Sequence, residues 1–436
     1  MPSKCILILL DGLGDRAYVN LGHKTPLQAA ETPNLDRLAR LGSNGLFHGK
    51  RQGLALPSEE AHFALFGYRQ EEFPGRGILE AQGAGIPVSP DDVMVLAHFV
   101  SVTEENCVLV LKKDRPEASR EEIDQLLKAL SPFETDGIEV YFVQTRDLDG
   151  IIVIKGGVSP HVTDSDPLQE GMPLIEIQPL NSTQADPKAQ ATSRALKRFL
   201  LDCYTRLKGH RVNLNRQMKK ECPINALATQ RPGRLKAVDS FRRRWGLRGL
   251  SISSGLIYWG LCNFLGMEVL KAHDSKDPGK DLADRIELAL SHLRGFDFVH
   301  VHTKAPDSAA HTKNPYLKRA VIESLDRGLG NVLNTLLDDP ELLLVITSDH
   351  STPSSGPLIH SGEPVPITVV GTGVRRDGVE RFNEINCAGG ALGFVTGADF
   401  MPMVLNFLDR TKLRGLMDTP EDQPYWPGLR KPFSLK

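Results

Sequence analysis

Asp307-Ser-Ala-Ala-His311 sets a carboxylate and an imidazole four residues apart, one above the other on a helical turn, where both can reach a single divalent cation. The same pair also suits a surface ion pair or a helix cap, so it gains meaning only from company. Asp349-His350 supplies company if it lies in a loop, because neighbours on a helix or strand face apart while a loop lets them converge. His360, in Leu358-Ile-His360-Ser-Gly, follows a turn-rich segment that can fold back to the same place; alone it would read as a structural hydrogen-bonding residue. With Asp11, these residues offer oxygen and nitrogen ligands and no thiolate, enough for two neighbouring divalent ions of the manganese, zinc or magnesium kind. A pair of such ions stabilises both the attacking and the leaving oxygen of a phosphoryl displacement. The nucleophile is offered by Ser58, in Leu56-Pro-Ser58-Glu-Glu-Ala-His62, ahead of a helix-like stretch whose N-terminus favours a phosphate. A plain N-cap serine fits that position equally well.

The elements that must position these residues are legible. Cys5 to Leu10 is apolar on both faces and runs into Asp11-Gly-Leu-Gly-Asp15, the pattern of a buried parallel strand feeding a polar loop. Leu342 to Thr347 and Phe298 to His302 read the same way and deliver Asp349-His350 and Lys304 with Asp307. Ligands of open α/β sheets collect at such carboxyl ends. Between the strands lie helical patterns such as Thr32 to Leu41, with Thr32 as cap and Pro33 at the first helical position. Alternating runs at Val108–Leu111, Ile138–Val143 and Ile151–Ile154 set the middle of the chain apart. Residues 89–236 therefore read as an insertion into a domain built from 1–88 and 237–436.

A chain of 436 residues exceeds what one core usually serves, which agrees with two domains. With 52 Lys+Arg against 54 Asp+Glu the net charge is −2, so no whole-molecule field recruits nucleic acid or a membrane. The Arg206–Arg248 stretch is locally basic, and a solvated face and an anion-binding rim fit it equally. Six scattered cysteines without a CxxC pair read as reduced thiols. The N-terminal apolar run is too short for a signal core, so a cytoplasmic protein is expected.

Taken together, Leu10-Asp-Gly-Leu-Gly-Asp-Arg16, Lys24-Thr-Pro-Leu-Gln-Ala-Ala-Glu-Thr-Pro-Asn-Leu-Asp36, Ser58-Glu-Glu-Ala-His62, Val301-His-Thr-Lys304, Ser348-Asp-His-Ser-Thr-Pro353 and Pro364-Val-Pro366 resemble the archaeal-type, cofactor-independent phosphoglycerate mutases of the alkaline phosphatase superfamily. The resemblance implies an alkaline-phosphatase-like three-layer α/β sandwich around a mostly parallel sheet, with an inserted smaller α+β lid domain. It implies a phosphoserine enzyme of glycolysis that interconverts 3-phosphoglycerate and 2-phosphoglycerate. Ser58 would be the nucleophile and would ligate one metal with Asp11, Asp349 and His350, while Asp307, His311 and His360 would hold the other. In the insertion, Val108-Leu-Val-Leu-Lys-Lys-Asp114 stands where the family carries an arginine-rich stretch, leaving Lys304, Arg231 and Arg234 as expected contacts to a small anionic phosphoester. The same chemistry on another phosphoester or a phosphonate, as phosphatase or mutase, is the alternative.

Overall fold

The structure, a computed structural model, describes residues 1–428 and 430–435. The chain forms two compact units, Met1–Phe73 with Val238–Lys436, and Pro74–Ala237.

The first unit is built on an eight-stranded sheet. Its strands Glu268–Lys271, Gly249–Ser253, Phe298–Thr303, Lys4–Leu10 and Leu342–Thr347 run parallel in that spatial order. Val365–Val370 and Ser43–His48 extend the sheet as antiparallel neighbours, and Gly393–Thr396 closes it parallel to Ser43–His48. Strand residues alternate between two buried faces. Ile6, Ile8, Leu10, Val299 and Val301 pack with Leu35 and Leu38 of the helix Pro33–Leu41, Ile286 of Pro278–His292 and Leu325 of Pro315–Leu337. On the opposite face Phe298 meets Phe66 and Phe241 edge-on or tilted, with ring centroids 6.3 and 5.2 Å apart, and Phe47 meets Phe400 at 5.9 Å. Helices thus cover both faces, which explains why Cys5–Leu10 and Leu342–Ile346 carry apolar residues at every position rather than every second one. The three expected strands form; Thr32 occupies its expected cap position, though its side chain makes no capping hydrogen bond.

The starts of three neighbouring strands of this sheet, Gly249–Ser253, Phe298–Thr303 and Lys4–Leu10, are tied together by Asp297. Arg248 grips it through Nε at 3.1 Å, Nη2 at 3.2 Å and its own backbone N–H at 2.9 Å, and Lys4 Nζ adds a contact at 3.3 Å. Burial pushes the Asp297 carboxyl up, but Arg248 and Lys4 outweigh it and bring it down to about 2. A carboxyl depressed in the folded state stabilises above its unfolded pKa, and that stabilisation is lost as pH falls toward the folded value. Since Arg248 is half exposed, screening leaves about 1–2 kcal/mol for the two-pronged contact. Arg248→Ala is expected to lower the free energy of urea unfolding by that amount at pH 7, with the gap from wild type narrowing below pH 4. A gap independent of pH would contradict the assignment.

The second unit is α+β. Its sheet is antiparallel, with strands Val108–Asp114, Val93–Glu105, Asp149–Lys155, Ile138–Arg146 and Phe133–Thr135 in order and Ala226–Arg234 also paired to Val93–Glu105. Helices Arg120–Ala129, Pro187–Lys208 and Arg211–Met218 bury one of its faces. The first junction falls at Phe73, ahead of the expected residue 88. The reason is the helix Arg76–Gly83, which buries Ile78 and Ala81 against Met94, Ile151 and Val153. It sits so close that a Cβ on Gly77 would lie 2.2 Å from the Met94 carbonyl oxygen.

In the basic stretch, Arg206, Lys208 and Arg216 of the second unit pair with Asp202, Glu104 and Glu122, and Arg243 and Arg244 of the first unit pair with Asp239 and Glu72, so these cations are compensated within their own units. Among the described residues no helix is long and apolar enough to cross a membrane.

Candidate metal centre

Three adjacent parallel strands end at one place. Leu10 pairs with Thr303 and Leu9 with Thr347, so the residues that follow emerge side by side: Asp11 from the central strand, Lys304 and Asp307 from one neighbour, Asp349 and His350 from the other. The backbones then interlock. Asp11 N donates to Thr303 O at 3.0 Å, and Asp307 N donates to Asp11 O at 3.0 Å. Gly12, at φ +64°, donates its N–H to Asp349 Oδ1 at 3.0 Å, and a Cβ there would lie 2.7 Å from both Asp307 Cβ and Thr352 Oγ1. Only glycine meets both the left-handed turn and this close approach. Beneath the loops the buried Lys318 Nζ donates to the carbonyls of Gly14 and Thr352 at 2.8 and 2.9 Å, tying the Asp11 loop to the Asp349 loop.

The side chains converge as two adjoining clusters. In one, His350 Nε2 lies 3.1 Å from Asp349 Oδ2, 3.5 Å from Asp11 Oδ1 and 2.9 Å from Ser58 Oγ. In the other, Asp307 Oδ1 has His311 Nε2 at 3.2 Å and His360 Nε2 at 3.6 Å, and accepts a hydrogen bond from Thr352 Oγ1 at 2.8 Å. The rings of His350 and His360 stack with centroids 3.8 Å apart and join the clusters. Candidate ligand atoms of Asp11, Asp349 and His350, and those of Asp307, His350 and His360, lie within 4.8 Å of one another. Lys304 Nζ is 3.5 Å from Asp307 Oδ2. Ser58 is the first residue of the helix Ser58–Leu65, and its hydroxyl makes no capping hydrogen bond; it faces His350 instead.

The structure therefore gathers Asp11, Ser58, Asp307, His311, Asp349, His350, His360 and Lys304 in the first unit. Arg231 and Arg234 stand on the strand Ala226–Arg234 of the second unit, where Arg234 Nη2 donates to the Val158 carbonyl and the Arg231 backbone N–H donates to Asp164 Oδ1 at 2.7 Å. Three further residues were not anticipated. His302 Nε2 is 3.0 Å from Asp11 Oδ2, Tyr258 Oη donates to the same oxygen, and His62 Nδ1 is 3.2 Å from Asp349 Oδ2. The alternation in Phe298-Val-His-Val-His302, which puts two histidines on one face of a buried strand, was the available signal for His302. For His62 it was the four-residue spacing from Ser58.

The donor set fits divalent cations. Asp11 Oδ1, Asp307 Oδ2 and Asp349 Oδ2 are buried and accept no hydrogen bond. Burial, then the charges of Asp349 and Asp307, push the Asp11 carboxyl up to about 6. Burial opposes charge on His350, yet Asp349, Asp11 and Asp307 push it up to about 9. Negative charge is thus crowded into a dry site where only cations relieve it. Oxygen and imidazole ligands without thiolate suit manganese, zinc or magnesium.

Comparison with known proteins gives consistent matches. The Metalloenzyme superfamily matches residues 3–407. The chain is 42% identical over 421 residues to 2,3-bisphosphoglycerate-independent phosphoglycerate mutase 2 of Methanocaldococcus jannaschii, covering 95% of each. It is 36% identical over 423 residues to the 2,3-bisphosphoglycerate-independent phosphoglycerate mutase of Methanopyrus kandleri, covering 95% of this chain and 99% of the relative. The solved cofactor-independent phosphoglycerate mutase from Thermoplasma acidophilum superposes with a TM-score of 0.63 at 30% identity, covering 93% of this chain and all (100%) of that one. A Pyrococcus horikoshii protein superposes with a TM-score of 0.76 at 26% identity, covering 95% of this chain and 100% of that one.

Proposed function

Because the chain belongs to the metalloenzyme superfamily and, within it, to the archaeal-type 2,3-bisphosphoglycerate-independent phosphoglycerate mutases, we propose that it interconverts 3-phosphoglycerate and 2-phosphoglycerate through a phosphoryl group carried on Ser58. The observation that carries this reading is the position of Ser58 Oγ, 2.9 Å from His350 Nε2 at the start of a helix and beside Asp11 and Asp349. Ser58, Asp11, Asp349 and His350 would hold one divalent ion and Asp307, His311 and His360 the other. Bound there, the ions supply Lewis-acid stabilisation of charge on the transferring phosphoryl group and favour the alkoxide of a neighbouring hydroxyl.

The chain's own residues do the rest. The phosphorus–oxygen bond to C3 of the glycerate breaks as a bond from phosphorus to Ser58 Oγ forms, and the serine proton ends on the glycerate oxygen. In the second half the C2 hydroxyl attacks phosphorus, its proton ends on Ser58 Oγ, and the serine is regenerated. The start of Ser58–Leu65 would turn the positive end of the helix dipole toward the phosphate. Lys304, held near Asp307, presents an ammonium to the substrate's negative groups. Keeping the phosphoryl group on serine while the glycerate reorients separates a mutase from a phosphatase.

Acid quenching of manganese-loaded protein during turnover of 3-phosphoglycerate, followed by peptide mass spectrometry, tests the intermediate. One phosphoryl group is expected on the peptide that contains Ser58. A phosphoryl group on any other residue, or none at any quench time in an actively turning over enzyme, would overturn the reading.

A further inference from the structure

His62 lies outside both proposed ligand sets, yet it touches a member of one and the nucleophile's own backbone. It sits four residues after Ser58 on the same helix and is fully buried. Its Nδ1 is 2.9 Å from the Ser58 carbonyl oxygen and 3.2 Å from Asp349 Oδ2. Both neighbours are acceptors, so Nδ1 carries the hydrogen; it is donated to the Ser58 carbonyl oxygen, and the same N–H edge of the ring lies against Asp349 Oδ2. The ring has no freedom to turn away. It is enclosed by Tyr258, His302, His300 and Phe66, with centroids at 5.0, 5.2, 5.6 and 6.4 Å.

Every other hydrogen-bond or ion-pair contact to Asp349 comes from the strand-end loops. Oδ1 takes the N–H groups of Gly12 and His350, each at 3.0 Å, and Oδ2 faces His350 Nε2 at 3.1 Å. His62 alone, among the described residues, reaches Asp349 from the helix that begins with Ser58. We propose that His62 is the positioning residue that sets the Ser58 turn against Asp349, fixing the serine hydroxyl and the carboxylate in mutual register before any substrate arrives. The proposal rests on the reading of Ser58 and Asp349 given above. It implies that metal affinity and phosphoryl transfer depend on the hydrogen at Nδ1 and not on the bulk of the ring.

Three variants separate those contributions. His62→Leu keeps volume and removes the N–H. His62→Asn returns a donor where Nδ1 stood, and His62→Gln returns one where Nε2 stood. Manganese affinity, measured by calorimetry on the full chain, and kcat and KM for 3-phosphoglycerate are the readouts, with circular dichroism to confirm folding. His62→Leu is expected to weaken manganese binding about 10–100-fold and to lower kcat by a similar factor with little change in KM. His62→Asn is expected to recover most of both, and His62→Gln neither. Manganese affinity within about twofold of wild type in a folded His62→Leu protein, or equal recovery by Asn and Gln, would overturn the proposal. If the leucine variant does not fold, the Asn and Gln pair decides. If the wild-type protein proves inactive on phosphoglycerate, the manganese affinities still decide the role of His62, while the mutase reading falls separately.

Discussion

Ser58→Ala is expected to lower phosphoglycerate turnover by about 10⁴-fold or more while leaving the fold and the clustered carboxylates in place, because it removes the group proposed to take up the phosphoryl in the first half-reaction and release it in the second. The loss should fall on kcat, since Lys304 and the helix N-terminus remain to bind substrate. The side chain is small and buried, and its hydroxyl is hydrogen-bonded to His350, so its deletion leaves a void of one oxygen. Circular dichroism and the urea midpoint should therefore match wild type closely. Ser58→Cys offers a second check, since it keeps a nucleophile of different size and softness at the same place. A folded, manganese-loaded Ser58→Ala protein that retained substantial turnover would require a different phosphoryl acceptor.

The second large effect is expected from Asp307→Asn. Asp307 is fully buried, and its carboxylate faces His311, His360, Thr352 and Lys304. Burial alone would raise its pKa, but His311, His350 and Lys304 hold it well below the usual carboxylate range, so it is ionised at neutral pH. Asparagine keeps the shape and loses the charge on which a divalent ion depends. Metal content by elemental analysis should fall from two ions per chain toward one, with kcat reduced about 10²-fold or more. The pair of clusters predicts a further asymmetry. Asp349→Asn should affect the ion nearest Ser58, so its loss of turnover should exceed that of Asp307→Asn even at saturating manganese. Two tightly bound ions in a fully active Asp307→Asn protein would contradict the ligand assignment.

Much of this site could be read from sequence because its residues follow buried parallel strands. A strand covered on both faces carries an unbroken apolar run, and the first polar residue after it marks the carboxyl end of the sheet. Asp11, Asp349 and His350 were picked out as candidates in that way, Asp307 by its place in the loop after Phe298–His302, and Ser58 by its place ahead of a helical stretch. The inserted unit was recognised by its change from continuous to alternating apolar pattern. Its first boundary was misplaced because Arg76–Gly83 is an amphipathic helix with nothing in its own sequence to say which sheet it covers. His302 and Tyr258 escaped notice for a related reason. Each lies in a buried, largely apolar element, where a histidine or tyrosine reads as core, and the three-dimensional approach to Asp11 Oδ2 gives it a task. Arg234 illustrates the converse. Its guanidinium, expected to meet an anion, spends a donor on the Val158 carbonyl, a contact between residues 76 positions apart that local pattern does not reveal.

The most direct test of the central claim is turnover of 3-phosphoglycerate by purified, manganese-loaded protein, with 2-phosphoglycerate and free phosphate followed in parallel and Ser58→Ala as control. The expected result is Ser58-dependent formation of 2-phosphoglycerate without release of phosphate. Release of phosphate without 2-phosphoglycerate, or no reaction with 3-phosphoglycerate alongside Ser58-dependent cleavage of an aryl phosphate, would contradict the mutase assignment and move the metal centre to the hydrolysis or transfer of another phosphoester.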